Sequence, residues 1–151
     1  MKMRRVVTAD DIEGKSVVKW DNEVEGVPGR PARPGLARIQ MWASKKLPAE
    51  LAEEDPIAWD LGRTIAGGSV FRFTRFDPGH TQHWHRTDTI DYAFVVSGEI
   101  TMQLDKEEVL LKAGDVVIQR GTLHNWANNG QEPCIILFVL IATEGDKSTG
   151  H

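Results

Sequence analysis

Along its second half the chain alternates short apolar runs with turn-forming residues at nearly even spacing. Val70-Phe71-Arg72-Phe73-Thr74-Arg75-Phe76 is rich in aromatic and β-branched side chains and stops at Asp77-Pro78-Gly79. Such a run fits a pleated strand, and Asp-Pro-Gly is a strong turn. Residues 92–96 end at Ser97-Gly98, and residues 100–104 alternate before breaking at a charged tip, 105–108. Residues 109–112 stop at Ala113-Gly114-Asp115, and 116–118 stop at Gln119-Arg120-Gly121. His124-Asn125-Trp126 leads into Asn129-Gly130, the best hairpin signal in the chain, and an apolar run over 134–142 closes the series. Many short strands with regular turns predict an all-β fold, an antiparallel sandwich or barrel.

The first 66 residues are less regular. Residues 5–8, 16–20 and 37–42 read as strands, 27–35 as a proline-rich loop, and 48–54 as one or two helical turns ended by Asp55-Pro56. The expected division is an N-terminal β arm over 1–66 within the same domain, a barrel over 67–142, and a solvated tail over 143–151 that includes His151.

Composition narrows the function classes. A chain of 151 residues, 40% hydrophobic and 26% charged, is long enough for one domain with a real core. A net charge of −4 and a pI near 5.7 argue against a general nucleic-acid binder, which needs a basic surface for phosphate. No apolar run is long enough to span a bilayer and no signal peptide is evident, so a cytoplasmic location without membrane contact is expected. The single cysteine, Cys134, heads an apolar strand and reads as a small core residue suited to a reducing compartment.

Candidate chemistry is confined to 79–128. On an extended 83–87, His83, His85 and Thr87 share one face. Asp91 enters the next strand, and His124 follows a glycine-containing loop. Imidazoles and a carboxylate from separate strands suit one Zn, Fe, Mn or Ni ion, with positions left for water and substrate. Each residue has a plainer reading. His85 and His124 would be hydrogen-bonded pocket histidines. Asp91 would cap the 87–89 turn or pair with Arg86 or Arg120, and His83 would point to solvent. His80 is expected to be exposed. Thr87 reads as a structural hydroxyl or pocket lining, and Trp126 as a stacking wall or aromatic core. Arg120 would hold a carboxylate at the pocket mouth or make a surface ion pair.

These segments resemble the cupin superfamily, a double-sheet jelly roll. Gly79-x5-His85-x-Thr87-x3-Asp91-x6-Gly98 follows the spacing of its first motif, with Thr87 at the second histidine and Asp91 at the glutamate. In the second motif Gly114, Gly121, His124 and Asn128 match, Gln119 replaces a proline, and the segment is one residue short. The phrases His85-Arg86-Thr87-Asp88-Thr89-Ile90-Asp91-Tyr92 and Gln119-Arg120-Gly121-Thr122-Leu123-His124 resemble a branch of small bacterial and fungal cupins, some of them in aromatic polyketide pathways.

The resemblance implies a jelly-roll barrel (double-stranded β-helix) and small-molecule chemistry. One divalent transition metal is expected on His85 and His124 with Asp91 or His83, and Thr87, Gln119, Arg120 and Trp126 are expected to face the substrate. The expected activity is decarboxylation, dehydration, isomerisation or oxygenation of a small, carboxylated or aromatic molecule. The alternative is a metal-free binding cupin. A homodimer held partly by residues 1–45 is expected, because the edges of a small sandwich need cover.

Overall fold

The computed structural model describes residues 1–28 and 33–145. Parts of the proline-rich loop and of the expected tail, His151 included, lie outside the described residues. Eleven strands follow in order: β1 (Lys2–Asp10), β2 (Ser16–Glu25), β3 (Val27–Pro28), β4 (Leu36–Ser44), β5 (Ser69–Phe76), β6 (Thr89–Ser97), β7 (Glu99–Gln103), β8 (Glu108–Lys112), β9 (Val116–Arg120), β10 (Asn125–Ala127) and β11 (Cys134–Ala142). They form a six-stranded sheet ordered β3-β4-β5-β11-β6-β9, a three-stranded sheet ordered β10-β7-β8, and the hairpin β1-β2. All pairings are antiparallel, as the pattern predicts.

The strand period of two separates two apolar clusters. On β5 every second residue is buried, so Val70, Arg72, Thr74 and Phe76 face the barrel interior. They meet Ile136, Phe138 and Leu140 of β11 and Ala93 and Val95 of β6, with Ile100 and Met102 of β7 opposite. The other phase of β5, Phe71 and Phe73, packs with Ile39 and Met41 of β4 and Val24 of β2. The hairpin β1-β2 therefore covers the outside of the large sheet. Arg5 of β1 anchors it: this side chain is buried, grips Asp55 with two hydrogen bonds of 2.8 and 2.6 Å, and stands 5.8 and 6.0 Å from the rings of Trp20 and Trp42.

Two local expectations are corrected. Residues 48–54 form no helix. Among the described residues the one helical turn is a 3-10 helix at Pro56–Ala58, and Asp55-Pro56 begins it. Asp55 accepts a hydrogen bond from the Ile57 amide and Pro56 supplies the fixed φ of a first helical position, whereas Leu51 upstream is wholly exposed and gives a helix nothing to bury. Asn129-Gly130 does not close a hairpin, since β10 pairs with β7 and β11 with β5 and β6. The Asn128 amide donates to the carbonyls of Phe76 and Glu132 and its Oδ1 accepts from Gly130, so the loop carries the chain from one sheet to the other.

Candidate active site

The interior of the barrel holds an open cavity whose empty space, mouth included, is about 600 Å³. His85, His124, Asp91, His83, Thr87 and Trp126 all line it. His85 and His124 are brought together by an isolated β-bridge. Each backbone amide donates to the other residue's carbonyl at 3.0 Å, and the ring centroids stand 4.4 Å apart. His83 stacks on His85 at 5.2 Å, with its amide held by the Asn125 side chain. Residues 83–87 are thus a bridged loop rather than a continuous strand.

The two central imidazoles are oriented alike. His85 Nδ1 donates to the His83 carbonyl at 2.9 Å, and His124 Nδ1 donates to the Thr122 carbonyl at 2.8 Å. That network places the ring proton on Nδ1 and the lone pair on Nε2. Burial pushes His85 down to about 3 and lowers His124 as well, so both rings are neutral at physiological pH.

A hydroxyl relay runs along the β6 side. Thr87 donates to Thr89 at 2.9 Å, and Thr89 donates to Asp91 at 2.5 Å. Burial raises the Asp91 carboxyl to about 6, against the lowering effect of the Thr89 hydroxyl and of the Arg72 charge. Asp91 pairs with neither Arg86 nor Arg120. Among the described residues no three His, Cys, Asp or Glu side chains converge closely enough to hold a metal ion. Thr87 offers a hydroxyl where a third imidazole would stand, and His83 lies over the His85 face.

Other expected residues fall elsewhere. Gln119 is buried outside the cavity, donating to Met102 sulfur at 3.6 Å and accepting from Thr122. Arg120 is exposed at the end of β9 and does not line this cavity. His80 is buried, not exposed. Its ring nitrogens lie 3.1 Å from the Asp77 carbonyl and 2.8 Å from that of Trp126, and it packs on Phe76. Gly35, at φ +82°, backs onto it so closely that a Cβ there would lie 2.6 Å from His80 Cβ. This contact ties the N-terminal segment to the histidine loop, with Asp77 and Thr81 amides donating to the Gly35 and Pro34 carbonyls. Arg33, Arg38, Arg63 and Arg72 also line the cavity, a set the sequence pattern did not reveal.

The double-sheet β topology and the paired motif histidines meet a matching family model: the Cupin domain model aligns with residues 72–140. The chain is also 32% identical over 145 residues to the cupin-domain-containing oxidoreductase fogC of Aspergillus ruber, covering 91% of this chain and 71% of that protein. The chain belongs to the cupin family. This cupin is 45% identical over 65 residues to oryzines biosynthesis cluster protein J of Aspergillus oryzae, a stretch that is 42% of this chain and 36% of that protein. It therefore spans about a third of that relative. Among solved structures it resembles the polyketide cyclase RemF of Streptomyces resistomycificus, at 15% identity and a TM-score of 0.56 over 84% of this chain and 79% of that one, which bears on the fold alone. No helix of the described residues is long and apolar enough to cross a membrane.

Proposed function

We propose that this cupin is an enzyme acting on a small organic molecule inside the barrel, with His85 and His124 as the first two protein ligands of one divalent transition metal. The observation that supports it is the pairing of two neutral imidazoles, each with Nδ1 tied to a backbone carbonyl and Nε2 left as the ligating edge. A ligating histidine characteristically donates its other ring N–H in this way. Asp91 and His83 are the further donors on the cavity wall, and either would have to move toward the histidine pair to join a metal. Such an ion would supply Lewis acidity toward a carbonyl, carboxylate or enol oxygen, or would activate water or dioxygen.

The chain's own groups do the rest. Trp126, Phe76 and Phe138 form an apolar wall that excludes water from the substrate body. Asp91, raised to about 6 and accepting from Thr89, which accepts from Thr87, is a carboxylate at the cavity wall that can take up a proton from the substrate. Relatives named as cupin-domain-containing oxidoreductases support the enzyme class. The reaction within decarboxylation, dehydration, isomerisation and oxygenation follows from the substrate.

A second reading has a specific observation in its favour. With no three donors convergent, a metal-free pocket that binds a ligand through the same histidines fits the geometry. Metal content separates the two. Protein purified without an affinity tag and dialysed in turn against Zn, Fe(II), Mn and Ni should retain about one ion per chain, and His124→Ala should lose it while staying folded. Thr87→His should tighten retention by restoring a third imidazole. His83→Ala should lower retention only if that ring is a ligand. Wild-type protein that stays empty with every metal establishes the metal-free reading.

A further inference from the structure

The cavity collects cations in a protein whose net charge is −4. Arg33, Arg38, Arg63 and Arg72 all line it, and Asp91 is its only acidic lining residue among those described. Among the described residues Arg38 and Arg72 make no ion pair. Burial, and then the Arg38 charge, push Arg72 down to about 9 against the raising effect of Asp91, and burial with the Arg33 and Arg38 charges pushes Arg63 to about 10. One carboxylate does not offset this burial and mutual repulsion, and a further anion beside Arg72 and Arg38 relieves both.

Arg72 shows where such an anion would sit. Its side chain is 6% exposed, and its Nη1 donates to the Arg63 carbonyl at 2.9 Å. Its Nε is buried with no hydrogen-bond partner. Nε and Nη2 make up the side-on edge of a guanidinium, the edge that takes a carboxylate through two parallel N–H···O bonds.

Strand register sorts the cavity lengthwise. Leu36 of β4 lies opposite Phe76 of β5, and Arg38 lies opposite Thr74. Arg72 is the next inward residue after Thr74, and each inward step along a strand is about 7 Å. Phe76 and Trp126 therefore stand toward one end, where Trp126 lies 6.1 Å from Phe76 and 5.8 Å from His124. Arg38 and Arg72 stand toward the other, with Phe138 paired to Arg72 and Asp91 of β6 paired to Leu140 beside them.

We propose that the cavity binds an organic carboxylate with an apolar body, the acid group held by Arg72 and Arg38 and the body lying against Phe76 and Trp126 beside the paired histidines. This assigns the substrate class of the enzyme reading, and rests on that reading only for the step that transforms the bound acid. An inorganic anion would meet the guanidinia but leave the apolar end uncovered.

Isothermal calorimetry on the full chain, with EDTA present throughout, tests the assignment apart from any metal. Benzoate and cinnamate are the probes, with benzamide and inorganic phosphate as controls. Both carboxylates should bind saturably, benzamide should not, and phosphate should bind more weakly. Arg72→Gln and, separately, Arg38→Gln should each weaken binding by about tenfold or more. Arg72→Gln should also raise the melting temperature of the ligand-free protein, since it removes a buried charge that burial and the Arg38 charge disfavour, a change that a merely structural arginine would not produce. If Arg72→Gln does not fold, Arg38→Gln decides alone. Carboxylates that fail to bind, bind no better than benzamide or phosphate, or bind folded Arg38→Gln unchanged overturn the proposal. Binding that persists in EDTA while no metal is retained by the wild type upholds it and discards the metal reading.

Discussion

Asp91 is a buried carboxylate whose only direct side-chain partner is a hydroxyl. Its folded value, about 6, lies above the ordinary 3.8, so the folded state holds this proton more tightly than the unfolded chain does. Stability from that proton is complete below about pH 4 and is lost as pH rises through 6. Asp91→Asn keeps the oxygen that accepts from Thr89 and removes the charge. In chelated protein it should be more stable than wild type by on the order of 1–3 kcal/mol near pH 8, with the gap closing by about pH 4, read from urea unfolding at both values. An equal gap at the two values would mean that Asp91 ionises normally. At this scale the sequence was informative for His85, His124, Asp91 and Trp126, because motif spacing fixes which residues share a strand face over a few positions. It was uninformative for Arg72. In Phe71-Arg72-Phe73-Thr74 the aromatic phase looks like the inner one, yet those rings face the β1-β2 side and the polar phase faces the cavity. Only knowing that both faces of β5 are covered resolves the choice. Gln119 and Arg120 fell outside the cavity because β9 is an edge strand, whose alternation points Arg120 outward and turns Gln119 toward Met102.

The β1-β2 hairpin has few links to the sheet it covers, and Arg5 is the strongest of them. Its guanidinium reaches Asp55, the Met41 carbonyl and Asn22, joining β1, β2, β4 and the 3-10 turn. Arg5→Gln should cost about 3 kcal/mol at neutral pH, the loss typical of breaking a buried pair from one side. The hydrogen bond from Arg5 holds the Asp55 carboxyl below its ordinary range. A depressed carboxylate stabilises above its unfolded value, about 3.9, and that contribution fades as pH falls through the lower folded value. The difference between wild type and Arg5→Gln should therefore shrink in acid, measured by chemical unfolding at pH 7 and again at about pH 2. The strands themselves were readable because alternation and turn chemistry agree over 67–142. The 3-10 turn and the β10–β11 loop were not, since Asp-Pro opens a turn as readily as it ends one and Asn128 reaches beyond its own neighbours.

For the whole molecule, the outer face of β6 and β9 is the most conspicuous surface. Tyr92 lies opposite Ile118 and Phe94 opposite Val116, all four exposed, with Val96 beside them. A contiguous apolar patch of this kind marks an association surface. We propose a homodimer whose contact would lie on this face, rather than on the β1-β2 arm that the sequence suggests. Light scattering should give twice the chain mass at micromolar concentration, and Phe94→Lys should give a folded monomer. A monomeric wild type would sink the idea. The cavity has a further consequence through the way it is drawn from the chain. The paired histidines, Asp91 and Arg72 all fall within the stretch that matches the Cupin domain, 72–140, whereas Arg33, Arg38 and Arg63 come from before it. The histidine pair and three of the cavity's four arginines are thus written in separate segments, clipped together where Gly35 meets His80. A new taste in ligands could be installed by rewriting residues 33–63 alone, with the imidazole pair left untouched.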